Sequence, residues 1–282
     1  MSSKPVVALC KRKPRESVQD ATVRALDLAG VSDALASSET FLLKPNYIAV
    51  EPPEFGNVTC PETVEGVFRF LVERCSKSAA GVVIGEGSYP NSTERAFEVA
   101  GARRLADKLG VRLVNLNEDE FVEVDVPDPL ALERVRVART ALDVDCVVSI
   151  PSLKTHSMAV TTLALKNLMG ALTQKGKHSM HSRLHEKIAD LASVIRPGLA
   201  VVDGIVGSDG FEEGGSPVRM DLVVAGTDPV AVDSVASAVM GYGPKQCRYL
   251  LHAEKKGLGV ASLDGIDVVG ESVDAVKRRF RR

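Results

Sequence analysis

Short β-branched runs alternate with helical stretches along this chain, and that alternation limits the fold more than any other feature. Val6–Leu9, Thr40–Leu43, Gly81–Ile84, Val111–Val114, Asp145–Ile150, Leu199–Val202, Asp221–Ala225 and Ile266–Val269 read as strands. Between them, Val18–Ala29, Thr63–Cys75, Thr93–Leu109, Thr161–Leu172, Ser182–Ile195, Pro229–Met240 and Lys245–Lys256 read as helices, and a basic tail helix follows. Parallel strands need crossovers of about this length, so the pattern predicts an α/β fold: a mainly parallel sheet with helices on both faces. Phe121–Val126 and Val135–Ala138 flank a Pro127-Asp128-Pro129 turn and predict a small antiparallel insertion near residues 115–140. With no repeat or low-complexity tract to divide the 282 residues, one α/β domain over 1–282 is expected.

Composition removes several classes of function. The net charge is −2, which argues against a nucleic-acid footprint over the whole surface. Aromatic residues are 4% and Trp is absent, so stacking on bases or sugars is a poor expectation. No segment reaches the roughly 18 apolar residues of a membrane span. The basic N-terminus around Pro5–Cys10 reads as a first strand, not a signal peptide. Cys10, Cys60, Cys75, Cys146 and Cys247 are isolated and form no C-x-x-C pair. Zinc-ribbon and iron–sulfur patterns are therefore missing, and a reduced cytoplasmic setting is expected.

In parallel sheets, ligands sit at the carboxyl ends of strands. Leu42-Leu43-Lys44-Pro45-Asn46 ends a strand in a lysine that can face an anion or simply face water. Gly81–Ile84 runs into Gly85-Glu86-Gly87, then Asn91 and Glu94 at capping-box spacing. Pro90 stands where a dinucleotide fingerprint needs its third glycine, so a plain tight turn is the better reading. Thr59 and Glu62 also have capping-box spacing, and Cys60 between them would feel the positive helix end that lowers a thiol pKa. Val202-Asp203-Gly204 opens a glycine-rich stretch with Asp209, Glu212 and Glu213, a lid or a long surface turn. Asp228 before Pro229 is an N-cap. Asp233, on the apolar helix after it, needs a partner, with a lysine or histidine near Lys154–His185 as the candidate.

The densest segment follows the strand at Asp145–Ile150. Lys154 and His156 are joined by Lys166 and Asn167 on the next predicted helix, then by His178, His181 and His185. Gln174–Met180 reads as a mobile loop. Four of the five histidines thus fall within 30 residues, and imidazole is the usual proton-transfer group and metal ligand.

Lys44-Pro45-Asn46, Gly85-Glu86-Gly87, Leu153-Lys154-Thr155-His156, Leu165-Lys166-Asn167-Leu168-Met169-Gly170, Val202-Asp203-Gly204 and Asp228-Pro229-Val230-Ala231-Val232-Asp233, in this order, resemble the domain of unknown function 362 family. The resemblance spans about residues 40 to 243, and the Lys-Thr-His and Lys-Asn elements are its specific part. The family is distantly similar to the N-terminal part of the nickel-pincer lactate racemases, which use histidines and a lysine in a cleft to move hydrogen at a hydroxy-acid carbon. The nickel-pincer residues do not transfer one by one. Many relatives carry a ferredoxin-like cluster module for which this chain has no cysteine pattern, and relatives often show histidine or serine near Thr59, where this chain has Cys60.

The expectation is an enzyme of isomerase, epimerase or lyase type that acts on a small carboxylate or phosphate by lysine/histidine proton transfer. Lys154, His156, Lys166, His178, His181 and Asp203 are its candidate catalytic residues; Lys44, Asn46, Gly85, Gly87, Asn167 and Asp233 are its candidate substrate-binding residues. One alternative is a hydrolase or redox protein holding a divalent metal on His178, His181 and His185. Another is a non-catalytic binding module. The expected partner is a small anionic molecule, with no nucleic acid and no membrane.

Overall fold

The structure, a computed structural model, describes residues 4–88, 92–211 and 214–282. Its strands are β1 Val6–Lys11, β2 Phe41–Pro45, β3 Val82–Glu86, β4 Arg112–Asn115, β5 Phe121–Asp125, β6 Arg134–Ala138, β7 Cys146–Ile150, β8 Ser152–His156, β9 Val160–Thr162, β10 Leu199–Asp209, β11 Ser216–Gly226 and β12 Asp267–Gly270. Its α-helices are α1 Val18–Ala29, α2 Pro61–Arg69, α3 Thr93–Val99, α4 Ala102–Leu109, α5 Thr140–Asp143, α6 Ala164–Asn167, α7 Gln174–Ser179, α8 Leu184–Ile195, α9 Pro229–Val239, α10 Arg248–Lys255 and α11 Val273–Val276.

Ten strands make one mixed sheet, mainly parallel; eight lie on its main path, in the order β12-β1-β11-β10-β7-β2-β3-β4, with β8 and β9 off it. β10 pairs with β7 at its start and with β8 further along; β8 continues into an antiparallel hairpin with β9. β5 and β6 form the separate antiparallel pair that the proline turn predicts.

The period-2 alternation of the strands divides the core in two. Val7, Leu9, Leu42, Val147 and Val202 face α8, α9 and α10. Ala8, Cys10, Phe41, Leu43, Val148 and Val201 face α1, α2 and α4. Both faces of these strands are buried, which is why they read as unbroken apolar runs. Local signals end the helices where expected: Ser17 caps α1 through the Asp20 N–H, and Gly30 closes it at φ +63°.

Several expected elements change. The long helix Thr93–Leu109 breaks into α3 and α4 at Gly101, whose φ is +81°. The helix expected over Thr161–Leu172 is instead β9, the single turn of α6 and a 3-10 turn at Leu168–Ala171, because Thr161 and Thr162 pair with β8. The segment after β7 is itself a strand, β8. Gln174–Met180 is not a loop: Thr173 accepts the Gly176 N–H and starts α7 there. Asp203 does not end a strand, because β10 runs on to Asp209 alongside β11. The tail is helical only over Val273–Val276; beyond it Phe280 is buried and its carbonyl accepts from the Tyr242 hydroxyl. Asn91 of the Asn91/Glu94 capping box, and Glu212 and Glu213 of the glycine-rich stretch, lie outside the described residues.

Candidate functional site

β2 leads on to β3 on one side, whereas β7 leads to β8 and β10 on the other. The crevice at the carboxyl ends of β2 and β7 is therefore a topological switch point, the place where open α/β sheets bind ligands. Lys44 pairs in register with Ser149 at this point.

Lys44 Nζ meets Glu86 Oε2 at 2.6 Å, with the two side chains only 1% and 3% exposed. Burial pushes the Lys44 pKa down, while Glu86 opposes the fall. Glu86 Oε1 also accepts the Gly87 N–H at 2.7 Å. Two glycines make room for this pair: a Cβ on Gly170 would overlap Glu86 Oε1 and come within 2.6 Å of Lys44 Nζ, and a Cβ on Gly87 would meet the Gly170 carbonyl and Lys177 Nζ.

Asn167 orients the next group. Its Nδ2 donates to the Lys44 carbonyl at 2.9 Å and to Ser149 Oγ at 3.1 Å, so its Oδ1 faces Lys44 Nζ and Asn46. Asn46 Nδ2 donates to that oxygen at 3.0 Å, which leaves Asn46 Oδ1 buried without a partner. Asp233 sets the start of α6 by accepting the N–H groups of Ala164 at 2.7 Å and Leu165 at 3.0 Å. Its partner thus lies in the expected segment but is backbone, not a lysine or histidine. Burial raises the Asp233 pKa to about 7 against those two donors.

Asn46, Glu86, Gly87, Lys154, His156, Lys166, Asn167, Lys177 and His181 line one cavity of about 190 Å³. Lys154 Nζ donates to the Asn57 carbonyl at 2.7 Å. His156 Nδ1 accepts the N–H groups of Met158 at 3.0 Å and Ala159 at 3.2 Å, so the neutral ring carries its proton on Nε2. Val160, two residues past Met158, sits at φ +74°. A β-branched residue there costs about 1–3 kcal/mol, strain stored in the hairpin that holds His156. His181 is exposed and lies 3.0 Å through Nδ1 from the His178 carbonyl, which can only accept, so the neutral His181 keeps a lone pair on Nε2. In these hydrogen bonds the two cavity imidazoles use Nδ1 in opposite roles, His156 as acceptor and His181 as donor.

Lys177 was hidden by its reading as loop. It is buried at the cavity wall, with Nζ on the Gly87 carbonyl at 2.6 Å and on Asn117 Oδ1. Burial pushes its pKa down to about 8. Glu86, part of the glycine turn and of the family motif Gly85-Glu86-Gly87 but given no role by the sequence, is the second residue missed. The Lys175-Gly176-Lys177-His178 tract is the sequence signal for Lys177, and the Gly85-Glu86-Gly87 motif the one for Glu86.

Other candidates lie elsewhere. Gly85 packs against Leu42 and Leu116 as a space-saving residue. Lys44 stands behind Asn167, off the cavity wall. Asp203 orients no lysine or histidine: it accepts the Cys60 N–H at 2.6 Å and the Ile205 N–H at 3.1 Å, and lines a separate cavity of about 520 Å³. Burial raises its pKa to about 6. Cys60 is the N-cap of α2 but makes no side-chain cap, and Thr59 bonds instead to the Asn46 N–H and the Ile150 carbonyl. Burial, Asp203 and Glu62 push the Cys60 thiol up, opposite to the expected helix-end effect. His178 is exposed and off the cavity wall. His185 turns to α10, where it stacks on Tyr249 and accepts its N–H at 3.2 Å. Among the described residues, the three histidines do not gather into a set able to hold a metal ion.

A family model described as a domain of unknown function, DUF362, matches residues 41–238, which include every cavity residue named above. The chain belongs to the DUF362 family. It is 26% identical to the thylakoid-associated protein sll1697 of a Synechocystis strain over 82% of this chain and 72% of that protein. Its fold is similar to that of the lactate racemase apoprotein from Thermoanaerobacterium thermosaccharolyticum, with a TM-score of 0.53 at 10% identity. That likeness covers 84% of this chain and 57% of the racemase chain, and at such identity it is one of fold alone.

Proposed function

We propose that this DUF362 protein is an enzyme that moves a proton at carbon in a small carboxylate or phosphate compound, as an isomerase, epimerase or lyase. The opposite hydrogen-bond roles of Nδ1 in His156 and His181 on one cavity carry the reading. An imidazole with an Nε2 lone pair can accept a proton as the base, and one with an Nε2–H can donate a hydrogen bond to the oxygen on which negative charge develops. Lys154, Lys166 and Lys177 supply positive charge for the anionic group and for an enolate-like state. About 190 Å³ holds the equivalent of roughly six waters, which suits an acid of a few carbons.

The five cysteines are all unpaired, consistent with a reduced, cytoplasmic setting. Among the described residues, no helix is long and apolar enough to cross a membrane. The thylakoid association of the Synechocystis relative makes a membrane-surface location the competing reading.

The test is hydrogen exchange in D2O, followed by proton NMR, over a panel of small 2-hydroxy, 2-oxo and phosphorylated acids. The native protein is expected to exchange a C–H of at least one of them. His156→Ala and His181→Ala should each slow that exchange by about 100-fold or more. Silence across the panel, or equal rates in the variants, ends the proton-transfer reading.

A further inference from the structure

Lys44, Glu86 and Lys177 place two buried ammonium groups beside one buried carboxylate. Glu86 is taken by Lys44, at 2.6 Å. Lys177 Nζ has only neutral acceptors among the described residues, the Gly87 carbonyl and the Asn117 amide oxygen. Among the described residues, the cluster therefore keeps one positive charge without a counter-ion. A buried charge in that state either loses its proton or binds an opposite charge. Unlike Lys44, Lys177 opens on the cavity that holds Lys154, His156, Lys166 and His181.

We propose that Lys177 Nζ is the seat of the ligand's anionic group, and that the anion enters the cavity together with a proton. This rests on the reading of the cavity as a site for a small anionic substrate. Burial depresses the free amine to about 8, Glu86 restrains the fall and Lys44 adds to it. An anion against Nζ supplies the missing counter-charge and raises the pKa again, so the lysine draws a proton from solvent as the anion binds. The other titratable groups around it are Glu86 and Lys44 at the strand ends, Lys154 and His156 on β8, Lys166 on α6, and His178 and His181 on its own stretch. An arginine stays charged throughout the range from pH 8 to 9.5, so comparison with Lys177→Arg assigns proton uptake to the lysine at 177 and not to Lys44 or the other groups.

Sulfate is the probe, because its charge is constant over that range. Calorimetric titration of the intact protein with sodium sulfate, in Tris and in EPPS, separates proton uptake from binding heat. The native protein should take up about half a proton per sulfate at pH 8, and its affinity should fall towards about tenfold per pH unit as pH rises beyond 9. Lys177→Arg should bind sulfate without proton uptake and with no pH dependence in this range. Lys177→Met should bind at least about tenfold more weakly at pH 7.5. Sulfate binding without proton uptake in the native protein, or with equal uptake in Lys177→Arg, overturns the proposal and leaves the anion to Lys154 and Lys166. Native protein that binds no sulfate at any pH overturns both the proposal and the anionic-substrate reading.

Discussion

At the scale of single residues, the site depends on charges and dipoles with few alternative partners. Glu86 is the carboxylate that faces both Lys44 and Lys177, so removing its charge leaves buried ammonium groups uncompensated. Glu86→Gln alone is expected to cost about 3–5 kcal/mol of stability, although the neutral amide can still accept the Gly87 N–H. Adding Lys44→Met should recover most of that loss, since it removes the ammonium in direct contact with residue 86. Urea unfolding of both single variants and the double variant checks this; equal, additive losses would mean that the pair does not act as a unit. Lys154, His156, Lys166 and Asn167 were legible in the sequence because they crowd after one apolar strand. Lys177 was not, because in sequence it resembles any lysine in a polar tract, and its burial comes from Gly87 and Asn117, 90 and 60 positions away.

At the scale of elements, short pieces hold the site because longer ones brace them. α6 is a single turn and would be marginal alone; the Asp233 carboxylate on α9 fixes its first two N–H groups. A comparable brace sits on α8. Asp190 on α8 accepts the N–H groups of Leu130, Ala131 and Leu132 and pairs with Lys256 at 3.0 Å, tying the β5–β6 turn to α8 and the end of α10. Although burial pushes its carboxyl up, those donors hold the pKa below the usual range. Asp190→Ala should cost about 3–5 kcal/mol. Hydrogen exchange should then rise first over residues 121–138, and an unchanged pattern there would show that the brace is dispensable. Element types were largely legible, since strand runs and caps are local. Lengths were not where a neighbour decides them: β11 extends β10 past Asp203, and β8 turns Thr161 and Thr162 into a strand.

For the whole molecule, stability carries the signature of buried acids. Asp233 has its pKa raised to about 7 by burial, from about 4 for an unfolded carboxyl. An acid raised in this way contributes stability that is fully present below about pH 4 and is lost as pH rises through about 7. Asp233→Asn lacks this titration. Whatever its absolute stability, it should gain on the native protein as pH goes from 5 to 8, and parallel melting curves at pH 5, 6.5 and 8 would refute the raised pKa. Asp203, raised to about 6, adds a similar slope at lower pH from the second cavity.

The sequence by itself determined the fold class, the DUF362 membership and a lysine/histidine concentration after β7, because hydrophobic period, helix caps and motif order are written in neighbouring residues. The tertiary structure alone decided which of those groups share a cavity. It brought in Glu86 and Lys177, gave Asp203 to another cavity, turned His185 onto Tyr249 and gave Nδ1 of His156 and His181 opposite hydrogen-bond roles. Those outcomes depend on burial and on hydrogen-bond partners supplied by other elements, and neither is encoded in the local pattern that a strand or helix leaves in the chain.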